Sequence, residues 1–341
     1  MTFDPNNIGI PNGNFFGLPY ETNDADLILI PVPWDVTTSY RPGTANGPQA
    51  MLDASLQIDL FDFHAENAWE NKISSLGEEE SIVLLNEEFR PMAEDVIDHL
   101  SDGGNPDDSQ IIQALSQINA ASEKMNTYVY QTAMHWMEKG KIPAVVGGEH
   151  SVPLGLIQAL TEKYPNMGIL HIDAHADLRK AYEGFTYSHA SIMYNALQLN
   201  EVSRVVQVGI RDVCQDEIDI VRSANGRIVL FNDYLLSDKK FMGQPWAEIC
   251  QEIVEFLPND VYISFDIDGL SPEFCPNTGT PVPGGINFQE AVYLIKTLVE
   301  SGRRIVGFDL CEVAPGPDDE WDANVGARIL QKLCNFCLLS Q

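Results

Sequence analysis

The feature that most constrains this chain is a series of short, unbroken apolar runs rich in β-branched residues: 25–33, 142–148, 167–173, 204–210, 227–231, 261–268 and 304–313. A strand with one wet face alternates apolar and polar residues, whereas a strand covered on both faces can be apolar throughout. Between the runs lie segments of helical periodicity, at about 110–139, 152–163, 187–199, 287–301 and 322–339. Strand and helix in alternation put the strands parallel and the helices on both faces. The expected fold is therefore α/β, a three-layer α/β/α arrangement around a mostly parallel central sheet. In such sheets ligands gather beyond the carboxyl ends of the strands, so chemistry is expected there.

The 341 residues are read as one catalytic domain spanning 1–341, a length that a single large α/β domain reaches. Residues 64–110 break the rhythm with Glu78, Glu79, Glu80 and the turn-rich SDGGNPDD. They are read as an acidic insertion on the surface, partly helical around 90–100. A formal net charge of -30 would repel nucleic acid and anionic membranes and attract metal ions or small cations. No nucleic-acid or membrane partner is expected. The first residues lack a basic segment leading into an apolar one, and no run of about 18 apolar residues occurs, so a cytoplasmic location is expected. Cys334 and Cys337 form a CxxC within RILQKLCNFCLL, where the helical spacing and the lack of a second pair point to buried helix cysteines rather than a zinc site.

The run 167–173 leads into AHAD, placing Asp173, His175 and Asp177 two residues apart, on one face if the chain stays extended. Buried carboxylates without partners are costly, and a divalent cation removes that cost. The run 261–268 repeats the pattern with Asp266 and Asp268, and the run 142–148 delivers His150 in GGEHS, where glycines allow close backbone approach. Six ligand-type residues from three strand ends, four of them carboxylates, exceed the need of one tetrahedral ion and suit two ions sharing carboxylates. Water held by such a pair becomes a nucleophile near neutral pH without Ser or Cys.

GGEHS (147–151), HIDAHADLR (171–179), SFDIDGLSPEFCPNTGTPVPGG (264–285) and FDLCEVAPG (308–316) resemble, in the same order, the arginase and agmatinase (ureohydrolase) family, over residues 29 to 335. The resemblance implies one ion on His150, Asp173, Asp177 and Asp266, and a second on His175, Asp173, Asp266 and Asp268. It implies manganese, with nickel as an option, hydrolysis of a guanidino group to urea and an amine, and a homo-oligomer, trimer or hexamer. His189 aligns with the family's proton-shuttling histidine and Glu312 with the carboxylate that holds the guanidinium. Together with Asp177 they form the expected catalytic set. The segment 33–51, with Tyr40, Arg41, Pro42 and Gly43, resembles the loop at the mouth of the site; His64, His99, His135 and His171 match no motif and are read as structural.

Within the family DLRxxYEGxxxSH, at 177–189, is most similar to agmatinases, and it lacks the asparagines with which arginases hold an amino acid. The expected substrate is therefore a small cationic guanidino compound, agmatine, giving putrescine and urea. Guanidinobutyrate, guanidine, arginine and formiminoglutamate are the alternatives within the chemistry, with Arg179 or Lys180 available to an anionic tail. A single-zinc amide deacetylase and a non-catalytic binding protein are the alternatives outside it.

Overall fold

The computed structural model describes residues 3–317 and 319–341. Eight strands form its sheet: β1 (Leu27–Val32), β2 (Ile73–Ser75), β3 (Ile142–Gly147), β4 (Met167–Ile172), β5 (Val202–Val208), β6 (Ile228–Phe231), β7 (Asp260–Asp266) and β8 (Arg304–Cys311). They lie in the order β2-β1-β3-β8-β7-β4-β5-β6, and every pairing is parallel. The mostly parallel sheet expected from the apolar runs is thus a wholly parallel one.

Side chains alternate between the two faces, as the strand period requires. Leu27 and Leu29 of β1 join a core with α1 (Gly47–Ser55), α8 (Trp246–Glu255), α9 (Phe288–Glu300) and α10 (Trp321–Leu339), with Leu236 of α7 (Asp233–Phe241) on the same side. Ile28 and Ile30 join the opposite core with α2 (Glu80–Ser101), α3 (Ser109–Glu138), α4 (Leu154–Lys163) and α5 (Ile192–Ala196); α6 (Gln215–Ser223) packs there through Ile220 and Val221. These are the three layers. Cys334 and Cys337 are free and buried inside α10. No helix among the described residues is long and apolar enough to cross a membrane.

The helices read from periodicity at 110–139, 152–163, 287–301 and 322–339 correspond to α3, α4, α9 and α10. The segment 187–199 is a 3-10 turn at His189–Ser191 followed by only five α-helical residues. Residues 64–110 are more than a surface excursion: β2 extends the sheet at its edge, and α2 is a 22-residue helix that buries Ile82, Ala93, Val96 and Ile97 despite carrying Pro91.

Chain order and spatial order part company at the centre. After β3 the chain crosses by α4 to β4, leaving a gap that β7 and β8 fill later. The four strands β3, β8, β7 and β4 are therefore neighbours, and their carboxyl ends open onto one crevice.

Candidate metal centre

Each of these central strands delivers candidate site residues at its carboxyl end. Beyond β3 the chain turns at Gly148, where a Cβ would stand 2.0 Å from the Trp34 carbonyl oxygen, so only glycine allows the approach that presents His150. Asp173, His175 and Asp177 follow β4; Asp266 ends β7, with Asp268 in the 3-10 turn Ile267–Gly269; Glu312 follows β8 in a left-handed conformation, φ 63°.

Asp173, His175 and Asp177 do not converge as an extended strand. β4 stops at Ile172, the His175 N–H turns back to donate to Asp173 Oδ1, and Asp177 is itself left-handed, φ 53°. A folded loop, rather than strand alternation, brings the three together. Asp, with its short polar side chain, tolerates that conformation better than most residues.

The resulting geometry is crowded. His150 Nδ1 lies 3.0 Å from Asp173 Oδ2, 3.1 Å from Asp177 Oδ2 and 3.3 Å from Asp266 Oδ2. His175 Nδ1 lies 3.1 Å from Asp268 Oδ2 and 3.5 Å from Asp173 Oδ1. All four aspartates are buried, and among the described residues no lysine or arginine pairs with any of them. Burial, and then the charges of Asp268 and Asp173, push the Asp266 carboxyl well above its ordinary value; burial and Asp173 push Asp177 up to about 6. Four carboxylates with too few positive partners make a site in which protons stand where cations would fit better. The His/Asp groups His150–His171–Asp173–Asp177 and Asp173–His175–Asp268 each have ligand atoms close enough for one ion.

His189 lies beside this cluster. Its Nδ1 is 3.4 Å from Glu312 Oε1, its Nε2 3.2 Å from the Ser39 hydroxyl, and its N–H donates to Thr37 Oγ1. Burial opposes a charge on the imidazole, but Glu312, Glu149 and Asp177 outweigh it and raise its pKa. Glu312 Oε1 accepts the His150 N–H at 2.9 Å. A cavity of 140 Å³ opens above, lined by Ser39, His175, Asp177, Arg179, Tyr182, His189, Asp212, Glu217, Asp266 and Thr280 among others. Tyr40 in the mouth loop is exposed, with the Arg41 guanidinium over its ring. The structure thus brings together all eight residues named from the sequence: His150, Asp173, His175, Asp177, His189, Asp266, Asp268 and Glu312.

Several supporting residues escaped the sequence reading. Glu149, fully buried, accepts from the Thr37 N–H and the hydroxyls of Thr37, Thr38 and Ser151, fixing the loop that carries Ser39. From the supposed insertion, Asn86 and Arg90 of α2 hold the same loop: Asn86 Oδ1 accepts the Asp35 N–H, and Arg90 donates to the carbonyls of Asp35, Val36 and Thr38. Beneath the His/Asp cluster, Gln207, His171, Ser264 and Asp309 stand in register across β5, β4, β7 and β8, a polar row in an apolar sheet. A polar residue inside each apolar run was the available signal. His171 was read as merely structural, and the structure puts its Nε2 2.7 Å from Asp173 Oδ2.

A three-layer parallel α/β fold with a buried His/Asp cluster beyond four adjacent strand ends defines an enzyme class in which metal-assisted hydrolysis is the natural chemistry. The arginase family model matches residues 25–335, and the chain belongs to the arginase family, hydrolases of guanidino C–N bonds. It is 31% identical over 297 residues to the N(1)-aminopropylagmatine ureohydrolase of Thermus thermophilus, covering 87% of this chain and 85% of that one. To the agmatinase of Bacillus subtilis it is 30% identical over 318 residues, 92% of each. Among solved structures, the agmatine ureohydrolase of Thermoplasma volcanium superposes with a TM-score of 0.74 at 22% identity, over 97% of this chain and 96% of that one, a likeness of fold.

Proposed function

We propose that this ureohydrolase works with two divalent metal ions, manganese first and nickel as the alternative, on a guanidino compound with a cationic tail: agmatine, cleaved to urea and putrescine. The wall of the cavity carries the substrate class. Apart from Asp177 and Asp266, whose charge the ions would offset, Asp212 and Glu217 line it against a single guanidinium, Arg179, which already lies over the Tyr182 ring and 4.0 Å from Glu217. An anionic tail would meet that wall at an electrostatic disadvantage. Lys180, the other candidate for binding a carboxylate, is exposed and is not part of the lining. The names of the Thermus and Bacillus relatives agree in substrate class, and they make aminopropylagmatine the compound to run beside agmatine.

The donor set fits a metal pair, being all oxygen and imidazole with charge in excess. His150, Asp173, Asp177 and Asp266 would hold one ion, and His175, Asp173, Asp266 and Asp268 the other. When bound, such ions lower the pKa of water toward neutrality and offset the charge that develops as the C–N bond breaks. Glu312 would take the guanidinium in two parallel hydrogen bonds, its Oε1 steadied by the His150 N–H. His189 stands between Glu312 and Ser39, so its imidazole can pass a proton from the cavity side, at Nε2, to the departing amine. A cytoplasmic homo-oligomer, trimer or hexamer, completes the proposal on the family resemblance.

The test is urea release from agmatine, aminopropylagmatine, arginine, guanidinobutyrate and guanidine, and formamide release from formiminoglutamate, after loading with manganese or nickel. Cationic tails should lead. A chain that prefers guanidinobutyrate, or releases urea from none of them, refutes the reading. Glu312→Ala should greatly depress kcat/KM for whichever substrate leads, and an unaltered value removes its assigned role.

A further inference from the structure

The buried groups that the proposed chemistry leaves unused form a chain of hydrogen bonds whose direction can be worked out. It begins at the Ala176 carbonyl, which can only accept. Gln207 Nε2 lies 2.7 Å from that oxygen and must therefore be the amide nitrogen, because the reversed amide would set two oxygens against each other. The same NH2 group lies 3.0 Å from His171 Nδ1. With one hydrogen on Ala176, its other hydrogen points at Nδ1, which accepts. The imidazole proton is then on Nε2, 2.7 Å from Asp173 Oδ2.

Two observations show that this arrangement was selected over easier packing. Gln207 and His171 are wholly buried on strands whose other buried residues carry no polar side chain, and Asp173, just beyond β4, is wholly buried as well. Gln207 Oε1 is buried without a partner among the described residues, so the glutamine is there for what its nitrogen donates. The register pairs Gln207 with His171 across β5 and β4, so the relay is set by the sheet itself and not by a mobile loop.

We propose that His171 and Gln207 are positioning residues of the metal centre: Gln207 fixes the His171 tautomer, and His171 donates to Asp173, aiming that carboxylate at the ions without binding either of them. The proposal rests on the two-metal reading above. It also separates His171 from His150, although both lie close enough to Asp173 to look like ligands. A ligand imidazole needs a free nitrogen lone pair toward the ion, and the only lone pair of His171 faces Gln207. His150 is the reverse case: its Nε2 is met by the Ser264 hydroxyl at 2.8 Å, leaving Nδ1 for the carboxylate cluster.

The experiment titrates manganese into the chelator-stripped full chain against a fluorescent chelator, with metal content per chain by elemental analysis, the metal-free Tm and kcat at saturating manganese. Wild type should bind two ions. His171→Leu and Gln207→Met should still bind two at saturation, with affinity weakened by about 10- to 100-fold. His171→Gln, whose amide nitrogen sits where Nε2 was, should restore most of that affinity. Gln207→Met conserves size and carries the test should His171→Leu fail to fold. Loss of one ion per chain in both His171→Gln and His171→Leu makes His171 a ligand and overturns the proposal, as do unchanged affinities throughout. A wild-type chain that binds no manganese overturns the metal reading instead.

Discussion

Arg90 offers a test of whether α2, read from the sequence as part of an acidic surface insertion, serves the site. Its Nη1 donates to the carbonyls of Asp35, Val36 and Thr38 at 3.0, 3.2 and 2.7 Å, and its side chain is only 13% exposed. Its partner Glu94 is 48% exposed, so that pair contributes little. Arg90→Met keeps the aliphatic stem and deletes the donors. Two N–H groups shared among three carbonyls are worth about 1.5 kcal/mol each as charge-assisted bonds, giving a loss of about 3 kcal/mol. At about 2.1 cal/mol/K of unfolding entropy per residue, a chain of 341 residues loses about 4 °C in Tm. The loop that slackens carries Thr37, which holds both Glu149 and the His189 N–H, and Ser39, which meets His189 Nε2. A displacement there of about 1 Å costs up to about 100-fold in rate, so kcat/KM should fall by about 10- to 100-fold. Differential scanning fluorimetry and a urea-release assay read the two effects. A lowered Tm with unchanged kcat/KM would make Arg90 a stabilising residue only, and the link from α2 to the site would be refuted.

Asp266→Ala removes a carboxylate that both proposed ions would share, and urea release should fall by orders of magnitude; unchanged turnover would remove the metal assignment. Manganese at about 100 times its dissociation constant should stabilise the chain by about 2.7 kcal/mol per ion, about 5.4 kcal/mol for the proposed pair and so about 8 °C in Tm, and a chelator should reverse it; a Tm indifferent to both would mean that the cluster holds no ion. Gly148→Ala forces a Cβ to within 2.0 Å of the Trp34 carbonyl oxygen and should abolish soluble expression or displace His150, with loss of one ion per chain; a stable variant of full metal content would contradict the steric argument.

The fold was legible because burial leaves a mark on composition: strands covered on both faces read as apolar runs, and seven of the eight strands announced themselves in that way. β2 did not, being three residues at an edge where little apolar surface is needed. The short helices α1, α6, α7 and α8 went unread because each covers only nine or ten residues and buries a narrow stripe. The six ligand candidates were legible because carboxylates and imidazoles at the ends of apolar runs have no other physical excuse, whereas His189 and Glu312 were legible only through their match to the family's motifs. Glu149, Gln207, Ser264 and Asp309 were not, and the reason is specific. Each is a single polar residue whose partners come from other strands or loops, and sequence does not display register. Once β5, β4, β7 and β8 are placed side by side, Gln207, His171, Ser264 and Asp309 become one row, and the sheet's register turns four unrelated polar residues into a floor beneath the carboxylate cluster. Candidate ligands can thus be read one strand at a time, whereas the residues proposed to orient them become visible only when neighbouring strands are aligned.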